Sequence, residues 1–123
     1  MAKTVLIIED YPETLIMLTE IVKGAGYAVK TSETGEEALK IIGRSPMDAV
    51  LLDIMLPRID GFEVCRRIKG DPKTKNIPVI AVTAFDVPDI EAKCLQAGAD
   101  EVVMKPFEIE DLLNKLKKYI KNG

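Results

Sequence analysis

The sequence predicts an α/β fold, a (βα)5 chain whose open parallel sheet carries helices on both faces. Three observations predict it. Short apolar runs recur along the 123 residues, VLII (5–8), AVLL (49–52), VIAV (79–82) and VVM (102–104). They are rich in β-branched residues and lack polar alternation, as strands covered on both sides require. Segments with apolar residues stepping by three and four lie between them, and the alternation of the two patterns builds parallel crossovers.

Each element has a local reason. VLII forms the first strand. Leu15, Leu18, Val22 and Ala25 mark one face of the first helix, which stops at Gly26. YAVKT (27–31) alternates and fits an edge strand with one wetter face. Thr34 with Glu37 resembles a capping box opening the second helix, which ends near Gly43 and Pro46. After AVLL, Asp60 with Glu63 opens the third in the same way and carries Val64, Cys65 and Ile68 inward. VIAV is followed by a helix that starts near Pro88, a residue suited to a first turn, and ends at Gly98. The last helix aligns Ile109, Leu112, Leu113, Leu116 and Ile120 on one face. Its Lys115, Lys117, Lys118 and Lys121 complement the dipole near the C-terminus. No repeat, low-complexity stretch or linker interrupts the pattern, so residues 1–123 are expected to form a single domain with no output domain.

Composition narrows the function. Apolar residues make up 47% and charged residues 30%, a globular balance. A net charge of −3 argues against a nucleic-acid backbone as the main partner. The basic stretch RRIKGDPKTK (66–75) reads as a solvated helix end and loop. There is no histidine, which removes Ser-His and Cys-His nucleophile pairs and histidine metal sites. Cys65 and Cys94 lack metal-ligand spacing and fall at apolar helical positions, so they read as small core residues. No apolar run approaches the roughly 20 residues of a membrane span, and the run before Glu9 is too short for a signal peptide. A cytoplasmic protein without membrane insertion is expected.

In open parallel sheets ligands sit beyond the carboxyl ends of the strands, where the winding reverses. The polar residues at those ends are therefore the candidates. Glu9 and Asp10 close the first strand, Asp53 the third, Thr83 the fourth and Lys105 the fifth. Two carboxylates some 4 Å apart repel by roughly 4 kcal/mol at an effective dielectric of 20. Either a proton is retained or a cation sits among them. Oxygen ligands without His or Cys point to Mg2+. A Thr hydroxyl, a Lys and Mg2+ around an Asp form a phosphoryl-transfer set. Asp53 would attack phosphorus to give an acyl phosphate, while Lys105 and Thr83 engage the phosphoryl oxygens.

From VLIIED through LLDIMLPRIDG and AVTAF to KPF, the whole chain resembles the receiver domain of two-component response regulators. The resemblance implies a doubly wound, flavodoxin-like sheet of strand order 2-1-3-4-5. It makes Asp53 the phosphoacceptor, with Mg2+ held by Asp10, Asp53 and the Met55 backbone carbonyl, and Glu9 acting through water. Thr83 becomes the switch hydroxyl, aided by the Ala84 N–H, and Lys105 the phosphoryl partner before a cis Pro106. Gly61 matches the turn glycine of the family. The donor would be a sensor histidine kinase or histidine phosphotransfer protein. The effector face would be the fourth helix, fifth strand and fifth helix, where Glu101, Lys115 and Lys118 are the exposed candidates.

One position departs from the family. Many receivers place Tyr or Phe where Val102 stands, and a valine cannot make the inward aromatic swing. Met55 and Phe85 border the site as bulky apolar residues, which either simply cover the pocket rim or slow hydrolysis of the acyl phosphate by keeping water from lining up on it. Tyr11 reads as a packing and partner-contact residue at the pocket mouth. Rival readings fit less well. A haloacid-dehalogenase-type phosphatase needs a second Asp where Met55 stands, and a flavin binder needs a phosphate cradle where EDYPE stands. A degenerate receiver acting only as a protein-interaction module is the remaining alternative.

Overall fold

The computed structural model describes residues 2–84 and 87–120. Five strands alternate with five helices: β1 (Thr4–Ile8), α1 (Pro12–Gly24), β2 (Ala28–Ser32), α2 (Gly35–Arg44), β3 (Ala49–Asp53), α3 (Gly61–Gly70), β4 (Val79–Thr83), α4 (Ile90–Gln96), β5 (Glu101–Met104) and α5 (Ile109–Tyr119). The sheet is parallel throughout, in the order β2-β1-β3-β4-β5. Strand order and class are as the sequence and its resemblance predict.

Strand alternation splits the core into two layers. Leu6, Ile8, Val50, Leu52 and Ala81 pack with Ala38 of α2, Val64 of α3 and Cys94 of α4. Val5, Ile7, Leu51 and Val82 pack with Leu18 and Val22 of α1 and with Leu112 and Leu116 of α5. β3 and β4 are buried along their whole length, which explains their unbroken apolar runs. The wetter edge strand β2 shows the expected alternation only weakly. Each fully buried Leu or Ile contributes about 1.5–3 kcal/mol through loss of apolar surface to water.

The caps follow the sequence. Thr34 Oγ1 accepts the Glu37 N–H at 3.1 Å, and Asp60 Oδ1 accepts the Glu63 N–H at 2.9 Å. Cys65 and Cys94 are buried free thiols, and burial pushes Cys65 up to about 11. Three expectations need correction. Ala25 is exposed at the C-cap of α1 and not on its inner face. Ile109, the first residue of α5, is 53% exposed, and the helix meets the core through Leu112 and Leu116 instead. α4 begins at Ile90, two residues after Pro88, since a tight turn occupies Val87 to Ile90. Among the described residues, no helix is long and apolar enough to cross a membrane.

Candidate functional site

From β1 the chain runs outward to β2 and then crosses back to β3, so its winding reverses between β1 and β3. The carboxyl ends of these two strands border the crevice that such a reversal opens. Ile8 pairs with Leu52, and one further step in that register sets Glu9 beside Asp53. The Glu9 N–H donates to the Ser32 carbonyl at 3.0 Å, which holds Glu9 on the strand course instead of letting it turn to solvent.

The side chains converge there. Glu9, only 1% exposed, accepts Lys105 Nζ on Oε1 at 2.8 Å and the Tyr11 N–H on Oε2 at 3.2 Å. Asp53, also buried, accepts the Met55 N–H on Oδ1 at 3.0 Å and has Lys105 Nζ at 3.7 Å from Oδ2. Asp10 stands exposed at the rim, and single oxygens of Glu9, Asp10 and Asp53 lie within 4.8 Å of one another. Thr83 is buried at the end of β4, and its carbonyl accepts the Lys105 N–H at 2.9 Å, which carries Lys105 from β5 to the rim. The Lys105–Pro106 bond is cis.

Gly61 shapes the far wall. A Cβ there would come 2.5 Å from the Ile54 Cα and 2.7 Å from the Asp53 carbonyl oxygen, so only glycine lets the β3–α3 loop fold back this closely. The Gly61 N–H donates to the Ile54 carbonyl at 2.9 Å. Beside this loop, Asp10, Met55, Pro57 and Phe62 line a cavity of about 350 Å³.

Charge is unbalanced at this edge. Burial, above all, pushes the Glu9 carboxyl up to about 7; hydrogen bonding and charge from Asp53 add to this, while Lys105 and the Tyr11 N–H oppose it. Among the described residues, three carboxylates answered by one ammonium, all-oxygen and close-set, suit a hard divalent cation. The donor set therefore fits Mg2+.

The structure brings Glu9, Asp10, Asp53, Thr83 and Lys105 to one rim. Ala84 follows Thr83 as an exposed residue, and Met55 is 53% exposed. Val102 does not reach the rim: it is buried opposite Ala81, and Met104 is the residue registered with Thr83. Phe85 lies outside the described residues. Two contacts escape sequence reasoning. Lys105 pairs more closely with Glu9 than with Asp53, and no local pattern links positions 96 residues apart. The Met55 N–H holds Asp53, a turn habit of aspartate that the sequence could have signalled.

Sheet order and pocket together define a flavodoxin-like domain with an acidic cup at its switch point. The sequence profile of the response regulator receiver domain matches residues 5–117, and the chain belongs to that family. It is 32% identical over 120 residues to the polar-differentiation response regulator DivK of Brucella ovis, covering 98% of both chains. Among solved structures it resembles a candidate response regulator from Chloroflexus aurantiacus, with a TM-score of 0.93, 35% identity and 98% of each chain covered. It also resembles the receiver domain of the sensor histidine kinase PA1611 from Pseudomonas aeruginosa, with a TM-score of 0.90, 30% identity and 98% of each chain covered. In that relative a magnesium ion is coordinated in the active-site cleft. As a receiver domain the chain is a two-component signalling module rather than a classical enzyme.

Proposed function

We propose that the domain takes a phosphoryl group from a phosphohistidine on a partner protein onto Asp53, and signals by the ensuing shape change or by passing the group on. The partner is a sensor histidine kinase or a histidine phosphotransfer protein, and the setting is the cytoplasm. An Asp53 carboxylate oxygen attacks phosphorus. The acyl P–O bond forms as the P–N bond breaks, and the imidazole leaves with its electron pair and gains a proton.

Asp10, Asp53 and the Met55 backbone carbonyl would hold Mg2+, with Glu9 acting through water. When bound, Mg2+ supplies positive charge against the phosphoryl oxygens. Lys105, 3.7 Å from Asp53, turns from Glu9 to the phosphoryl group, and the Thr83 hydroxyl and Ala84 N–H donate to its oxygens. The convergence of Glu9, Asp10 and Asp53 around a single lysine carries this reading. Because valine at 102 cannot swing, output rests on the loop after Thr83 and on α4, read by an effector through α4, β5 and α5. Exposed Leu95 and Met104 offer apolar contact there.

Incubation with acetyl phosphate and Mg2+ should add one phosphoryl group by intact mass, and Asp53→Asn should abolish it. Labelling that persists in Asp53→Asn, or needs no divalent ion, would overturn the assignment. Met55 and Phe85 also keep water off the acyl phosphate. Replacing them together, Met55→Asn with Phe85→Glu, should shorten its lifetime about tenfold, about 1.4 kcal/mol of barrier. An unchanged decay rate would refute that role.

A further inference from the structure

Val87, Pro88, Asp89 and Ile90 form a turn closed by the Ile90 N–H donating to the Val87 carbonyl at 3.3 Å. Asp89 stands at φ 67 and ψ 16. Proline in second place and a left-handed third residue define a type II turn. Its third position favours glycine, because a Cβ there meets backbone oxygen, and among residues with a Cβ asparagine and aspartate adopt it most readily but still at a cost. Asp89 gains nothing visible in exchange, for its side chain makes no capping hydrogen bond. α4 then begins at Ile90 and runs for only seven residues.

The same residues also encode a longer helix. Proline's fixed φ suits the first helical position, and the residue before proline is held extended, as an N-cap is. Asp89 and Glu91 would then place negative charge in the first turn, where the helix dipole favours it. A type I turn differs from type II by rotation of the peptide between the second and third residues. That rotation keeps the ring-fixed φ of Pro88, turns its ψ from extended to helical, and carries Asp89 into the right-handed region, continuous with α4.

We propose that the Pro88–Asp89 peptide is a two-position hinge: one setting starts α4 at Ile90, and the other adds residues 88 and 89 to the helix. The hinge deepens the receiver reading and rests on it for its purpose. The segment joining Thr83 to α4 begins at Ala84, and lengthening α4 shortens that segment. The hinge assigns the extended setting to the state in which Thr83 and Ala84 hold a phosphoryl group. Linkage is reciprocal, so a substitution that biases the hinge changes affinity for a phosphoryl mimic by the same factor.

Two substitutions at this exposed position push in opposite directions. Asp89→Gly removes the Cβ cost and holds the type II turn. Asp89→Ala raises the cost of the left-handed setting and favours the helix. In the metal-free protein, the 13Cα shifts of residues 88–90 should become more helical in Asp89→Ala and less so in Asp89→Gly. Beryllofluoride with Mg2+ should bind about 3-fold more tightly to the first and about 3-fold more weakly to the second, each near half the effect of a Gly-to-Ala change at a left-handed site. The hinge is refuted if the shifts do not separate, or if they separate while the affinities stay equal. Failure of beryllofluoride to bind any of the three proteins would strike the receiver reading instead, and the metal-free shifts would still decide the hinge.

Discussion

Two lysines hold carboxylates at opposite ends of the same sheet, and their surroundings differ. At the amino end, Lys69 Nζ lies 2.7 Å from Asp100 Oδ2, 2.8 Å from the Ile77 carbonyl and 3.3 Å from the Lys75 carbonyl. The same Asp100 oxygen accepts the Val79 N–H at 2.8 Å. Gly98, at φ 110, makes room, since a Cβ there would come 2.8 Å from the Lys69 Cγ. One cation meets one anion, and backbone groups fill the remaining valences. At the carboxyl end, Lys105 faces Glu9 and Asp53 with Asp10 beside them, so negative charge is left over. A balanced pair fastens the fold, whereas a surplus of one sign leaves an appetite for a ligand.

The largest effect that would break this contrast is on stability. Lys69→Met should cost about 2 kcal/mol in urea unfolding, with no rescue by Mg2+. Removing one partner of a fully buried pair costs about 3–5 kcal/mol, and the partial exposure of Asp100 reduces it. Lys105→Met should cost less, because Glu9 can keep its proton, and Mg2+ should restore the loss. Equal costs with equal Mg2+ response would erase the distinction between the two ends.

Next comes the ligand itself. Asp10→Asn should weaken Mg2+ binding about tenfold, or about 1.4 kcal/mol, by calorimetric titration. The same change should stabilise the metal-free protein slightly by relieving repulsion. A loss of metal-free stability would show that Asp10 is a structural anchor.

A gentler test is pH. Glu9 sits at about 7 in the fold against about 4.5 unfolded, so the folded protein binds more protons between those values. Its contribution to metal-free stability is full below about 4.5 and is lost as pH rises through about 7. Saturating Mg2+ should flatten this slope by favouring the ionised carboxylate, and Glu9→Gln should remove it. A metal-free slope of the opposite sign would show that Lys105 outweighs burial.

The strands were legible because burial on both faces leaves an unmistakable apolar run, and Asp53 was legible because it ends one. α4 was misplaced because proline serves a helix start and a type II turn alike, and residue 89 alone does not decide between them. Lys69 was read as solvated because its partner Asp100 is 31 residues away, and only the meeting of β4 and β5 with α3 joins them. The Glu9–Lys105 pair was hidden for the same reason, although both residues were identified as candidates.

All five strands point the same way, so every crossing from sheet to helix near Asp53 happens on one side of the molecule. Under the proposed function, a charge arriving there would act first on neighbouring loops of one border, which the apolar layers beneath support. Packing and chemistry thus occupy different parts of the chain: the layers that fill the interior are apolar, and the groups that meet a ligand stand along a single border.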